Sequence, residues 1–264
     1  LVTSGDDALG EDDAAAARYV LGEELGRGGF GVVFLARQVK PIERDVAVKL
    51  LRADLCGDSM IGRFKREQRL LAMMNHRNIA SVLDAGMIDD RRPFFVMEYI
   101  DGQPIDDYCD SNQLSIPQRL ELFRDVCRGV IHAHQRGIVH KDIKPPNVLV
   151  TLSDGEPIPK LIDFGIARPL QSDQIKSTDY TQLGQMLGSL AYMSPEQADP
   201  TIKDVDTRSD VYSLGVLLYE LLTGRPPLDD EDLMAVRGQD LARTLREAEP
   251  LRPSSRITDS TGVG

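Results

Sequence analysis

One stretch constrains this chain more than any other: His140-Lys141-Asp142-Ile143-Lys144-Pro145-Pro146-Asn147-Val148-Leu149, followed by Asp163-Phe164-Gly165. Asp142, Lys144, Asn147 and Asp163 bring two acids, one base and one amide into a short loop and the strand pair after it. These residue types suit phosphoryl transfer. A carboxylate orients the attacking hydroxyl and a cation stands near the transferred group. Magnesium binds through one or two carboxylates plus the substrate phosphates.

Upstream, the pattern from Tyr19 is strand-like: Tyr19-Val20-Leu21, then Gly26-Arg27-Gly28-Gly29-Phe30-Gly31, then Val32-Val33-Phe34-Leu35-Ala36. A lone G-x-G-x-x-G is weak, because a dinucleotide fold uses the same spacing with the glycines opening a helix. Here β-branched and aromatic residues follow, which favours a second strand. No G-K-[ST] is present, so a P-loop is excluded. The plain alternative is an ordinary hairpin turn; the functional one is a nucleotide cover whose missing side chains let backbone amides approach phosphate.

Val46-Ala47-Val48-Lys49 predicts a third strand. Residues Met60 to Asn75 predict a helix carrying Ile61, Phe64, Leu71 and Met74 on one side, with Glu67 near its middle. Taken alone, Lys49 is a surface residue of a half-buried strand, and Glu67 pairs with Arg63 along its own helix. Phe94 to Ile100 predicts a buried strand running into the turn Asp101-Gly102. Ile116 to Gly137 predicts an amphipathic helix capped by Ser115, with Leu120, Phe123, Val126 or Cys127, Val130 and His134 at helical spacing. His132 and His134 read as half-buried helix residues, not metal ligands, since no suitable third ligand is near. Thr207 to Leu222 is apolar nearly all round, predicting a helix buried in a core and stopped by Gly224. Asp229 to Glu247 predicts one more helix, followed by a polar tail from Pro250.

The order and spacing of H-x-D-x-x-x-x-N, D-F-G, the glycine stretch, V-A-V-K and Ser194-Pro195-Glu196 resemble the eukaryotic-like serine/threonine protein kinase family, in the phrasing of its bacterial members. The resemblance runs from about Tyr19 to the end. It implies an α+β, bilobal fold: a small β-rich N-lobe with one key helix over 18–97, a hinge at 98–102 and a mainly helical C-lobe over 103–264. It implies ATP and magnesium (manganese as an alternative ion) as cofactors, and serine or threonine hydroxyls of proteins as acceptors.

The family's roles then fall on named positions. Asp142 would orient the hydroxyl, Lys144 would neutralise the γ-phosphate, and Asn147 and Asp163 would hold metal. Leu25, Gly26, Arg27, Gly28, Gly29, Phe30 and Gly31 would cover the nucleotide, with Lys49 on the α- and β-phosphates and Glu67 as its partner. Val33, Ala47 and Leu149 would sandwich adenine, behind which stands Met97. The carbonyl of Glu98 and the amide of Ile100 would bind the adenine edge. Leu71, Phe164, His140 and Asp210 would form a second stack, with His140 packed as a structural residue. Ser189 would brace Asp142 and Lys144. Lys144, two residues after Asp142, implies serine/threonine specificity.

Departures from the family pattern bear on control more than on chemistry. Lys141 stands where relatives have an arginine that grips a phosphorylated activation loop, and lysine lacks that bidentate fork. Thr178 and Thr181 are the better candidates for autophosphorylation. The resemblance also implies further C-terminal helices beyond the present chain. Glu196 is therefore expected to lack the arginine that pairs with it in relatives, and the 211–222 helix to be partly uncovered. The alternatives are a nucleotide-binding pseudokinase acting as a scaffold and, behind it, a small-molecule phosphotransferase.

Composition narrows the partners. Thirty-one basic against 42 acidic residues, net charge −11, argue against a nucleic-acid binder. Three cysteines at spacings that match no metal site suggest a reducing compartment and buried small hydrophobes. The first seventeen residues, acidic and alanine-rich, predict a disordered tail. No apolar run is long enough to span a bilayer. A cytoplasmic fragment is the resulting expectation, with an anchor outside this stretch left open.

Overall fold

Strands dominate where apolar and β-branched residues alternate. The computed structural model describes residues 2–4, 18–28, 31–52, 68, 71–88, 92–164, 190–202, 204–236 and 240–260. The chain divides into two compact units, Leu1–His76 with Ala80–Asp101, and Arg77–Ile79 with Gly102–Gly264.

The first unit is built on a sheet of β1 (Val2–Ser4), β2 (Tyr19–Gly28), β3 (Gly31–Gln38), β4 (Arg44–Leu51), β5 (Val82–Ile88) and β6 (Arg92–Glu98). Its order is β1-β2-β3-β4-β6-β5, antiparallel except where β1 runs parallel to β2. Residues 2–4, read from sequence as part of a tail, thus form an edge strand; residues 5–17 lie outside the described set. Register assigns the two faces. Val33 pairs with Lys49, Lys49 with Phe95, Leu35 with Ala47 and Ala47 with Met97, so all of these share one face. Tyr19, Ala36, Val46, Val48, Leu50, Phe94 and Val96 form a buried apolar cluster on the other. Of the predicted helix over 60–75, Gln68, Leu71 and Ala72 are helical. It ends three residues early, because the Met74 amide donates to the Leu71 carbonyl (3.0 Å) in a tight turn.

The second unit carries β7 (Gln103–Pro104), β8 (Val148–Ser153) and β9 (Glu156–Leu161) in one small sheet. Its helices are α1 (Ile105–Ser111), α2 (Ile116–His134), α3 (Pro195–Ala198), α4 (Thr207–Thr223), α5 (Asp230–Met234), α6 (Asp240–Glu247) and α7 (Pro253–Ser260). Among the described residues no helix is long and apolar enough to cross a membrane.

Helix α2 begins at Ser115 with a capping box to Gln118. Its buried face is Leu122, Val126, Gly129, Val130 and Ala133, while Leu120 is 41 % exposed. The predicted stripe is therefore rotated. Large side chains suggested it, but the buried face includes Gly129, where a Cβ would stand 2.9 Å from Leu161 Cδ1 and 3.0 Å from the Asn78 carbonyl oxygen.

Helix α4 is not buried all round either: Val211 is 62 % exposed, while Ser209, Asp210 and Ser213 are buried. Hydrogen bonding, not hydropathy, decides that face. The helix stops at Gly224, whose φ of 80° is the left-handed conformation glycine tolerates. Beyond it, the expected single helix is two, α5 and α6, and the expected polar tail includes helix α7. The segment leading into α7 and α7 itself bond to α4 and to the turn after it. Tyr219 donates to the Leu251 carbonyl (2.8 Å), and the Arg256 guanidinium lies 5.6 Å over the Tyr219 ring while donating to the Pro226 carbonyl (2.8 Å).

Candidate active site

The catalytic-loop candidate is held first by its backbone. Asp210, fully buried in α4, accepts from the amides of His140 (2.8 Å) and Lys141 (2.7 Å), and its carboxylate meets His134 Nε2 at 2.7 Å. Three charge-assisted contacts satisfy a carboxylate that would be costly to bury alone. His140 settles into one tautomer: Nδ1 accepts from the Asp142 amide (3.3 Å), so Nε2 carries the proton and donates to the Ile162 carbonyl (3.1 Å). Complete burial pushes its pKa down and keeps the ring neutral. The ring packs against Phe164 with centroids 4.5 Å apart. His140 is the packed structural residue expected.

On this frame the polar side chains converge. Asp142 Oδ2 lies 3.2 Å from Lys144 Nζ and accepts from Asn147 Nδ2 at 2.9 Å; the same Nδ2 donates to the Asp142 carbonyl (2.8 Å). With its amide nitrogen committed to Asp142, Asn147 turns Oδ1 the other way, as an oxygen ligand requires. The Asn147 carbonyl accepts from the Ile162 amide (3.0 Å), which fastens the loop to the segment carrying Asp163. Asp163 has a φ of 60°, an uncommon left-handed conformation for a non-glycine residue. An amide oxygen and one carboxylate suit a hard cation that completes its shell with phosphate and water. Among the described residues no group of three or more His, Cys, Asp or Glu could hold a metal by itself.

The first unit presents Val33, Ala47, Lys49 and Met97 on one sheet face, with Lys49 only 6 % exposed. The Glu98 carboxylate is occupied by the Ser81 amide (3.1 Å), so that side chain is turned to its own unit. Ile100 is buried, and in the second unit Leu149 pairs with Pro104 across β8 and β7. Leu25 is exposed on β2, and Arg27 pairs with Glu24 (2.6 Å). The glycines divide by purpose. A Cβ on Gly31 would strike the Leu50 carbonyl oxygen, so packing demands glycine there. At Gly26 and Gly28 a Cβ would meet nothing within 4 Å, and neither has a positive φ. Neither local packing nor backbone conformation therefore requires glycine at those two positions. Gly29, Phe30, Glu67, Gly165, Thr178, Thr181 and Ser189 lie outside the described residues.

Glu196 is not stranded as expected: it is half-buried and accepts from Ser209 Oγ at 2.6 Å, and Ser194 Oγ donates to Ser209 Oγ at 2.9 Å. The arginine partner was expected to be missing, and a short hydroxyl relay satisfies the carboxylate instead. Sequence reasoning also missed His134 as the buttress of Asp210, and Gln197, whose amide reaches the Lys141 carbonyl (2.8 Å). Neither carried a local signal, since both partners are more than fifty residues away in the chain.

Residues 19–259 match the protein kinase domain family. This chain belongs to that family. The kinase domain is 42 % identical over 244 residues to serine/threonine-protein kinase PknB of Mycobacterium leprae, covering 90 % of this chain and 37 % of that protein. It is 43 % identical over 242 residues to a probable serine/threonine-protein kinase of Streptomyces coelicolor, covering 90 % and 34 %. The chain thus spans a little over a third of the length of these curated relatives. A crystal structure of a double mutant of the Mycobacterium tuberculosis PknI kinase domain superposes with a TM-score of 0.66 at 27 % identity, covering 92 % of this chain and 83 % of that one. The mixed α+β protein kinase fold is therefore established for this domain.

Proposed function

We propose that this domain transfers the γ-phosphoryl group of ATP to serine or threonine hydroxyls of proteins, its own included. The observation that carries the reading is the Asp142–Lys144–Asn147 cluster: one carboxylate oxygen held by an ammonium at 3.2 Å and an amide at 2.9 Å. Asp142 orients the acceptor hydroxyl and takes its proton as the bond to phosphorus forms. Lys144 neutralises charge on the moving phosphoryl group. Asn147 and Asp163 would hold magnesium, which would supply charge neutralisation along the phosphate chain. Lys49 takes the α- and β-phosphates. Backbone amides around Gly26 and Gly28 approach the phosphates, and Val33, Ala47 and Met97, on one sheet face of the first unit, take the adenine ring. The Glu98 carbonyl and Ile100 amide bind its edge. The names of the relatives support serine/threonine specificity.

The test is incubation of the purified protein with labelled ATP, magnesium and a generic basic protein, followed by phosphoamino-acid analysis. Label on serine or threonine is expected. Nucleotide binding with no transfer would mark a scaffold instead of an enzyme.

A further inference from the structure

The peptide unit joining Lys141 to Asp142 is gripped at both ends. Its N–H donates to His140 Nδ1 (3.3 Å) and its carbonyl accepts from Gln197 Nε2 (2.8 Å). Lys141 itself has a φ of 66°, a left-handed conformation that a lysine keeps only where its surroundings enforce it. Asp210 holds the amide on the near side of that residue (2.7 Å). Gln197 holds the carbonyl on the far side, next to the carboxylate that would receive the acceptor hydroxyl.

Gln197 is 4 % exposed, and the two ends of its side-chain amide do different work. Oε1 accepts from the Ser194 amide (3.0 Å) in the cap of α3, and Nε2 spans to Lys141. A glutamate would keep the acceptor and lose the donor; an asparagine would be a methylene short. The side chain therefore joins the Ser194-Pro195-Glu196 segment to the catalytic loop, fifty-six residues away in the chain.

We infer that Gln197 is a positioning residue for phosphoryl transfer, setting the direction of the Asp142 carboxylate through the Lys141 carbonyl. The inference rests on the kinase reading, and adds that the segment around α3 orients Asp142 through the backbone of Lys141. A purely structural Gln197 would cap α3 and do nothing for turnover.

Gln197→Glu and Gln197→Met separate these roles. In both variants kcat should fall about tenfold, the effect of losing one hydrogen bond to the part-buried Lys141 carbonyl, while KM for ATP stays within about twofold. The Gln197→Glu deficit should shrink as pH is lowered from about 8 to 6. A buried carboxyl facing a carbonyl holds its proton above the usual range, and the protonated form regains a donor. Counting folded molecules by binding of a non-hydrolysable ATP analogue corrects for lost stability. A kcat per folded molecule within twofold of the unaltered chain, in whichever variant folds, would overturn the positioning role. So would a Gln197→Glu deficit that is constant with pH. Absence of transfer by the unaltered chain would instead overturn the kinase reading, and the positioning role with it.

Discussion

At the scale of single residues, the site depends on groups whose directions are set by others. Asn147 illustrates this: its amide nitrogen donates both to the Asp142 carbonyl and to the Asp142 carboxylate, and those bonds decide where its oxygen points. Asp142→Asn keeps the shape of the loop and removes the proton acceptor. Transfer should drop by about 10²–10⁴-fold, the usual contribution of a general base, while ATP affinity is retained. Paired measurements of turnover and nucleotide binding check this, and near-normal turnover would remove Asp142 from the mechanism. Cys109 shows the opposite case: burial pushes its thiol up to about 11, so it stays protonated and packs as a small apolar group, as its sequence suggested.

Elements are positioned by contacts that their own periodicity does not announce. Helix α2 meets β9 at Gly129, and Gly129→Val should force a shift costing about 1–3 kcal/mol, read as a lower Tm. Gly215, on the exposed face of α4, is the contrasting case, with nothing within 4 Å of an added Cβ. Gly215→Ala should stabilise by about 0.5–1 kcal/mol through helix propensity, raising Tm by a few degrees. If the two variants move Tm in the same direction, the assignment of faces is wrong. Control by the activation segment belongs to this scale as well. Because Lys141 cannot form a bidentate fork, alanine at both Thr178 and Thr181 should lower the proposed kinase activity only modestly. Loss of nearly all activity in a steady-state assay of that double variant would show that a phosphorylation switch operates despite the lysine.

Across the whole molecule, net charge −11 has one internal consequence. Glu220 of α4 has its pKa pushed up to about 7, first by burial and then by Asp106, Asp110 and Asp230. Asp106 of α1 is raised too, chiefly by burial. Glu220 Oε2 and Asp106 Oδ1 are buried without a hydrogen-bond partner. The folded state therefore holds a proton that the unfolded chain, with glutamate near its ordinary 4.5, has released. Between those two values the folded state binds more protons, so this group's contribution falls as pH rises from about 4.5 and is lost above about 7. Glu220→Gln should accordingly raise Tm by a few degrees at pH 8 and have little effect near pH 5. Thermal melts of both proteins across that range check the sign, and a gain confined to the acid side would refute it.

What the sequence determined by itself is what is local. Motif order identified the fold, and the alternation Val46-Ala47-Val48-Lys49 put Lys49 opposite the apolar cluster, because a strand has period two. Capping by Ser115 and termination at Gly224 were legible because helix ends are satisfied by near neighbours. Tertiary structure decided the rest. The buried face of α2 turned on a glycine facing β9, the burial of Ser209, Asp210 and Ser213 on bonds to distant segments, and the partner of Glu196 on a serine one element away. His134 and Gln197 reach partners 76 and 56 residues off. Pairings across such distances depend on where the chain brings two segments together, and no local pattern encodes them.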